Sequence, residues 1–163
     1  MADASDTPYF DKDATAITYD HWYGHRLMQK NGVEADFPLG FGLSYTTYAL
    51  NDLDAALVGE GAVCAAISVS NTGNMDGHQV VQLYGTRLEG DRAGERELLG
   101  FTVVFVEAGK TQKAEIEASL QPLNRWDEKA RTFVQPAGSV RLEAAFCWGD
   151  PEALSTTINV KGA

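Results

Sequence analysis

Three pairs of neighbouring carboxylates are the residues of this sequence best suited to acid–base chemistry. They are Asp11 with Asp13, Glu95 with Glu97, and Asp127 with Glu128. Cleavage of a glycosidic bond needs two carboxylates that face each other about 5–9 Å apart across the bond. Glu95 and Glu97 lie among arginines in a polar stretch, and the pair at 127–128 lies in a turn-like segment. Both pairs are therefore interpreted as solvated surface charges, and no catalytic residues are predicted.

Other reactive side chains also lack the partners that their chemistry needs. His21 and His25 are spaced as two metal ligands on a helix would be, but no third ligand is evident. The run Gly40-Phe41-Gly42 is too short for a phosphate-binding loop. Ser44 lacks the Gly-x-Ser-x-Gly pattern of a nucleophile elbow. The sequence therefore predicts no cofactor and no metal site.

The overall charge argues against two classes of partner. The chain has 163 residues with 13 Lys+Arg and 23 Asp+Glu, which gives a net charge of −10. Such a chain repels nucleic acid phosphates and anionic membrane surfaces. No apolar run reaches the ~20 residues of a membrane span, and the acidic first twenty residues do not resemble a signal peptide. A cytoplasmic location is therefore expected.

The two cysteines are too few for a disulfide framework. Cys64 and Cys147 each lie in a run of small and apolar residues. Two free thiols in strands of a reducing compartment are expected. A single bridge between them is the alternative.

The chain divides near residue 44. Residues 1–43 are irregular, and a short helix is predicted only within 13–28. Residues 44–163 consist of short runs in which apolar and polar residues alternate, as in 62–71, separated by turn-forming residues. Seven or eight strands are predicted, the first over 45–50. This pattern indicates an all-β fold, an immunoglobulin-like antiparallel sandwich of the fibronectin type III-like variant.

The alternation also predicts a core and one tight turn. The residues expected in the core are Ile67, Leu83, Phe101 and Leu142. One strand is expected to place Leu99, Phe101, Val103 and Phe105 on a common face. The segment from Asn71 to Gly77 is rich in turn formers, and Gly73 or Gly77 is expected to have a positive φ.

Aromatic residues are concentrated near the amino terminus. The set is Trp22, Tyr23, Phe37, Phe41, Tyr45 and Tyr48, and Trp126 and Trp148 follow later. We interpret them as anchors that attach the irregular segment to the sandwich. The alternative is that exposed rings stack on sugars, as in a carbohydrate-binding module.

Four short motifs follow one another along the chain. Residues 36–48 read DFPLGFGLSYTTY, and the later motifs are VSNTG (69–73), VVQLY (80–84) and ELLGF (97–101). In the same order, they resemble the FPFGxGLSYT, VxNTG, VVQLY and ELKGF motifs in the carboxyl-terminal part of glycoside hydrolase family 3 enzymes, the β-glucosidases and their relatives. Upstream, residues 17–26 resemble the end of the family's α/β domain. The resemblance covers roughly residues 8–160.

The resemblance implies a fibronectin type III-like domain without the catalytic machinery. In the family the nucleophilic Asp and the acid/base residue belong to other segments, and no position here matches them. The resemblance also implies that residues 1–43 are the end of the α/β domain with a linker, and that residues 44–163 are the sandwich. The side chains expected to contact a neighbouring domain or a sugar are Trp22, Tyr23, Arg26, Phe37 and Phe41.

Three functions remain open at this point. The first is a non-catalytic structural and interaction module of a β-glucosidase, inactive on its own, whose partner is the α/β or barrel domain of such an enzyme. The second is a small carbohydrate-binding module. The third is one chain of a split β-glucosidase. A homodimer is expected for the isolated chain because the aromatic segment would otherwise leave an apolar patch exposed.

Overall fold

The computed structural model of the protein describes residues 13, 15 and 22–162. The chain divides into two compact units, Met1–Pro38 and Leu39–Ala163. In the first unit, helix α1 (His25–Lys30) overlaps the end of the predicted helical region. The Lys30 Nζ lies 4.5 Å from the ring centroid of Trp22. No helix in the described part of the chain is long and apolar enough to cross a membrane.

The second unit is an antiparallel β-sandwich, which confirms the predicted fold class. One sheet has the order β1-β2-β5 and consists of β1 (Tyr48–Val58), β2 (Ala62–Asn71) and β5 (Thr111–Ser119). The other has the order β4-β3-β8-β9 and consists of β3 (Gly77–Arg87), β4 (Arg96–Val106), β8 (Gly138–Ala145) and β9 (Leu154–Val160). Since these sheets each have an apolar inner face, stacking them buries the core.

A small hairpin completes the second unit. A single-turn 3-10 helix (Gln121–Leu123) leads into β6 (Arg125–Asp127), which pairs with β7 (Thr132–Val134). The described residues thus form nine strands. The first strand begins at Tyr48 and continues to Val58, well beyond its predicted end at residue 50. The polar residues that suggested an end lie at a register shift between Leu50 and Asp52, where a bulge lets the strand continue.

The inner faces of the two sheets form the core. Ile67, Leu83 and Leu142 are fully buried there, which confirms three of the four predicted core residues. The prediction for Phe101 is wrong, because 64% of this residue is exposed. The error follows from a bulge in β4 that the sequence pattern did not indicate.

The bulge reverses which residues of β4 face the core. Leu83 pairs with Gly100, but the next residue of β3 pairs with Leu98, so Leu99 is the extra residue. Leu99 packs against the core, and a Cβ on Gly100 would lie 3.1 Å from the Ile116 side chain of the facing sheet. Leu99 and Gly100 therefore both face inward. Beyond them the alternation is shifted by one residue, and Phe101 points outward.

The turn after β2 is organised by a buried asparagine. The Asn71 Oδ1 accepts hydrogen bonds from the Thr46 hydroxyl (2.6 Å) and the Gly73 backbone N–H (3.1 Å). Its Nδ2 donates to the carbonyls of Met75 (2.7 Å) and Val106 (2.9 Å). All four contacts tie neighbouring loops to this end of the sandwich.

The expectation of a positive φ in this turn is wrong for both glycines. They are required for space instead. A Cβ on Gly73 would overlap the Thr46 hydroxyl and lie 3.0 Å from the Thr47 backbone nitrogen. A Cβ on Gly77 would overlap the Tyr48 hydroxyl. Close approach of the chain, not backbone conformation, is therefore what demands glycine at these positions.

Both cysteines are free. Cys64 is an exposed residue of β2, as the sequence pattern predicted. Cys147 follows the end of β8, so the prediction that it lies in a strand is wrong. Burial raises the pKa of the Cys147 thiol, and the charge of Asp150 acts in the same direction. A raised pKa keeps this thiol protonated and unreactive at neutral pH.

Candidate interdomain surface

The outer face of β4 carries a row of exposed apolar side chains. Phe101, Val103 and Phe105 alternate along β4 and are all exposed. Val80 pairs with Val103 in the neighbouring strand and is also exposed. We call these four residues the β4 strip. Their alternation at every second position places them on a single face of the sheet.

The imidazole of His78 extends this row. His78 pairs with Phe105 in the register of β3 and β4, and their ring centroids are 5.0 Å apart. The strip is therefore a continuous apolar surface that ends at the His78 ring. Contiguous apolar surfaces of this kind are uncommon on soluble proteins and mark interaction sites.

The other edge strand that packs over β4 has the opposite character. The outward side chains of β5 include Lys113, Glu115 and Glu117, all exposed. The Lys113 Nζ lies 3.5 Å from the Glu115 carboxylate. Charges on an edge strand are typical of a surface that stays in water. The outer face of β5 is thus charged, whereas that of β4 is apolar.

A segment that precedes β1 adds a second group of exposed apolar residues. We call residues 39–45 the strap. Phe41 is half exposed, whereas Leu43 and Tyr45 are exposed by 95% and 93%. The strap lines a shallow groove of about 260 Å³ together with Tyr48 and Phe146.

Backbone contacts hold the beginning of the strap in place. The Trp148 backbone N–H donates to the Leu39 carbonyl at 2.7 Å. Gly40 has a φ of +90°, and a Cβ there would lie 2.8 Å from the Phe146 carbonyl oxygen. Since only glycine accommodates both the conformation and this approach, the sequence itself fixes the path of the strap.

An arginine that contacts two neighbouring aromatic rings positions the loop that binds the strap. The Arg96 guanidinium carbon lies 4.1 Å from the ring centroid of Tyr84 and 4.9 Å from that of Trp148. The two rings make an edge-to-face contact at 5.3 Å, and the Arg96 Nε lies 3.7 Å from the Glu143 carboxylate. Such cation–π contacts stabilise a partly buried arginine. They also fix Trp148, whose backbone holds the strap.

The hydroxyl of Tyr84 is shielded from solvent within this cluster. Tyr84 is fully buried, and its hydroxyl donates to the Gln82 side-chain oxygen. Burial raises the pKa of Tyr84 to about 12, although the positive charge of Arg96 acts in the other direction. Desolvation therefore outweighs the nearby charge.

The aromatic residues near the amino terminus do not share one role. Tyr48 contacts Phe146 at a centroid distance of 6.4 Å, as expected for an anchor. The anchor interpretation is wrong for Tyr45, which is almost entirely exposed.

Of the five residues predicted to contact a domain or a sugar, Phe41 lies in the strap. The other four, Trp22, Tyr23, Arg26 and Phe37, lie in the unit Met1–Pro38. Tyr23 and Phe37 are exposed, and the contact role of all five stays a prediction.

The candidate carboxylates are engaged in structural contacts. Glu97 is buried and pairs with the Arg92 Nη2 at 2.7 Å, so its interpretation as a solvated charge is wrong. Glu95 pairs with the same guanidinium at 2.8 Å. Asp127 accepts the backbone N–H groups of Ala130 and Lys129, which lowers its pKa. Asp11 and His21 lie outside the described residues, and the described residues contain no cluster of three metal-binding side chains.

Comparison with known proteins places this sandwich in a family. Residues 79–145, from β3 to the end of β8, match the fibronectin type III-like domain family. The crystal structure of a GH3 β-glucosidase from Bifidobacterium adolescentis superposes with a TM-score of 0.78 at 27% identity, covering 86% of this chain and 21% of that one. The chain carries the fibronectin type III-like domain of glycoside hydrolase family 3.

Curated relatives of this fibronectin type III-like chain are much longer proteins. A probable β-glucosidase I from Neosartorya fischeri is 33% identical over 150 residues, which cover 86% of this chain and 18% of that protein. An exo-α-(1→6)-L-arabinopyranosidase from Bifidobacterium longum is 31% identical over 121 residues, which cover 74% of this chain and 16% of that protein. The chain therefore spans less than a fifth of the length of these relatives.

The β4 strip is the feature of this domain that the sequence pattern did not reveal. Three apolar or small residues in a row, Leu98-Leu99-Gly100, interrupt the alternation just before Phe101. An isolated glycine in a strand pattern is a known sign of a bulge. Read that way, the same residues would have placed Phe101 on the outer face.

Proposed function

We propose that this chain is a non-catalytic structural and interaction module of a family 3 β-glucosidase, and that it docks through the β4 strip and the strap onto the remaining domains of that enzyme. The exposed β4 strip is the observation that carries this proposal. The docking partner is inferred from length, because the matched region makes up only 18% and 16% of two relatives that share this domain. The proposal holds whether those domains share the polypeptide or form a second chain of a split enzyme.

Burial of the strip supplies the driving force. Moving a Phe or Val side chain out of water contributes about 1.5–3 kcal/mol when burial is complete. Phe101 is exposed by 64%, so most of that gain is still available to a partner.

The parent activity in this proposal is the hydrolysis of β-glucosides or related glycosides. Support comes from the names of the relatives, which include β-glucosidases, an arabinopyranosidase and a xylan 1,4-β-xylosidase. The sugar specificity of the parent enzyme is therefore set by domains outside this chain. In isolation the same strip would be available to a second copy, which is how the expected homodimer would form.

A chimeric enzyme tests the docking role. The fibronectin region of the Bifidobacterium adolescentis β-glucosidase is replaced by this chain, and the melting temperature and β-glucoside hydrolysis are measured. A double variant, Phe101→Ser with Phe105→Ser, is expected to lower the melting temperature and the soluble yield of the chimera. The matched control is Lys113→Ser with Glu115→Ser on the outer face of β5. Equal behaviour of the two double variants would contradict docking through the strip.

The β6–β7 hairpin favours carbohydrate binding as a second candidate. Trp126 and Phe133 pair across this hairpin with ring centroids 5.3 Å apart in an edge-to-face contact, and both are exposed. An exposed indole face is the group on which a sugar ring stacks in the carbohydrate-binding alternative. Isothermal titration with cello-oligosaccharides tests it. If the chain is a carbohydrate-binding module, it should bind these sugars, Trp126→Ala should abolish the binding and Phe101→Ala should preserve it. If no binding is measured, the structural module is the only one of the two candidate functions that stands.

A further inference from the structure

At the end of the sandwich opposite the Asn71 turn, a cleft of about 430 Å³ is lined by three arginines. The lining includes Arg87, Arg92 and Arg125, with Glu89, Asp91 and Pro136 beside them. The loop between β3 and β4 forms one wall, and the segment around the 3-10 helix forms another. Three guanidinium groups around one cleft are unusual in a chain with 13 basic residues and 23 acidic ones.

Arg87 is a buried cation without a carboxylate partner. Only 4% of the residue is exposed. Its Nη2 donates to the carbonyls of Pro136 (2.7 Å) and Ala137 (2.9 Å), and these are its only side-chain hydrogen bonds within the described residues. No carboxylate in the described part of the chain lies within ion-pair distance of it. Glu89 acts on Arg87 as a counter-charge without an ion-pair contact, so an anion in the cleft would give this guanidinium a direct partner.

Electrostatic surroundings agree with this description of Arg87. Burial lowers the pKa of Arg87, and the charge of Arg92 acts in the same direction, whereas Glu89 raises it. An arginine nevertheless stays protonated at neutral pH. The two carbonyl contacts fix one amino group and leave Nε and Nη1 without hydrogen-bond partners in the described residues.

Arg92 also lines the cleft, but its charge is already paired with carboxylates. Its Nε and Nη2 pair with Glu95 and Glu97 at 2.8 and 2.7 Å. Its Nη1 donates to the carbonyls of Pro122 (3.0 Å) and Asn124 (3.1 Å). The charge of Arg92 is therefore balanced, and its contacts tie the β3–β4 loop to the segment before β6.

Arg125 supplies a second cation, which is half exposed and only loosely paired. Its side chain is 49% exposed, and its Nη2 is 4.0 Å from the Asp127 carboxylate. The Asp127 Oδ1 already accepts two backbone N–H groups at 2.9 Å, so this carboxylate is oriented toward its own turn. Because Arg87 and Arg125 both line the cleft, a ligand there can contact both cations.

We propose that this cleft binds an oxyanion, a carboxylate or a phosphate group, between Arg87 and Arg125. Arginine is suited to this role because its planar fork matches the geometry of both groups. Glu89 and Asp91 at the same cleft oppose anion binding, so millimolar affinity is expected. The Glu89 Oε1 accepts the Ser139 backbone N–H at 3.3 Å, which directs this carboxylate toward β8. The site is separate from the β4 strip and does not depend on the docking role.

The test is a nuclear magnetic resonance titration of the full chain with two probes, inorganic phosphate and D-glucuronate, at constant ionic strength. Saturable shifts of the Arg87 Nε–H resonance and of the β3–β4 loop amides are expected with at least one probe. Binding of phosphate alone assigns a phosphate ligand, and binding of glucuronate alone assigns a carboxylate ligand.

Two arginine variants decide whether the cleft is responsible. Arg125→Gln is expected to weaken binding about three- to tenfold, since it removes one charge-assisted contact. Arg141→Gln is the matched control, because the Arg141 side chain is exposed to a similar degree (46%) but does not line the cleft. Shifts that do not saturate, or equal affinities of the two variants, would overturn the proposal.

Discussion

The Arg96 guanidinium carbon lies 4.1 Å from the centre of the Tyr84 ring, on the same side of the domain as the strap. Trp148 also contacts the guanidinium, with its ring centroid at 4.9 Å. This contact links β3 and β4 to the loop whose backbone holds Leu39. It therefore connects the buried interior of the domain to the beginning of its exposed strap.

The raised pKa of Tyr84 predicts a loss of stability at high pH. In the unfolded chain a tyrosine loses its proton near pH 10, whereas the pKa of Tyr84 in the fold is about 12. The folded state keeps this proton longer, so its contribution is complete below about pH 10 and is lost as the pH rises toward about 12. We expect the free energy of unfolding to fall by about 2–3 kcal/mol from this group over that window.

Urea unfolding across this pH range measures the effect, and Tyr84→Phe is its control. The variant retains the ring beside Arg96 but has no titrating hydroxyl. A pH dependence that is equally steep in the variant would show that Tyr84 is not its source.

The glycines of the Asn71 turn are expected to be intolerant of side chains. Gly73→Val should lower the free energy of unfolding by more than about 1 kcal/mol, because its Cβ would overlap the Thr46 hydroxyl that bonds to Asn71. Gly42→Ala is the control, since no atom lies within 4 Å of its Cβ position. Chemical denaturation compares the two, and equal stabilities would refute the close-approach explanation.

The bulge in β4 predicts opposite outcomes for two large apolar residues. Leu83→Ala should cost about 2–5 kcal/mol of stability, because Leu83 is fully buried between the sheets. Phe101→Ala should change stability by less than about 0.5 kcal/mol in the isolated chain, because its ring is already in water. Thermal or chemical unfolding of both variants checks this. A large loss of stability in Phe101→Ala would mean that the Phe101 side chain faces the core and not the solvent.

The contrast between β2 and β4 shows what the sequence could predict. The alternation in Ala62–Asn71 is uninterrupted, so both the bounds of β2 and the burial of Ile67 followed from it. In β4 the extra residue Leu99 reverses which of the following side chains face the core. Alternation of apolar and polar residues does not indicate such a reversal, and Gly100 is the only sign of it in the sequence. The exposure of the β4 strip was missed for this reason.

Contacts between distant residues were beyond prediction for a different reason. The pairing of Arg92 with Glu97 was visible as a local charge cluster, but its burial depends on the carbonyls of Pro122 and Asn124. The position of the Arg87 side chain likewise depends on a hydrogen bond to Pro136, 49 residues away. Such sites arise from tertiary packing, which a local pattern does not encode.

The isolated chain is expected to show no β-glucoside hydrolysis. Its best carboxylate pair, Glu95 and Glu97, is bound to a single guanidinium and does not face a substrate-sized opening as a catalytic pair would. A chromogenic β-glucoside assay on the purified chain measures this. Turnover that disappears on mutating one carboxylate of this chain would refute the structural-module account.

Hydrogen exchange at β4 tests the central claim most directly. Amide exchange of Arg96–Val106 is compared between the isolated chain and the chimera with the Bifidobacterium adolescentis enzyme, and β5 (Thr111–Ser119) serves as the internal reference. If the β4 strip docks onto the other domains, exchange in β4 slows in the chimera while exchange in β5 is unchanged, because docking removes water from one edge only. Equal exchange rates of β4 in the two proteins would contradict the account.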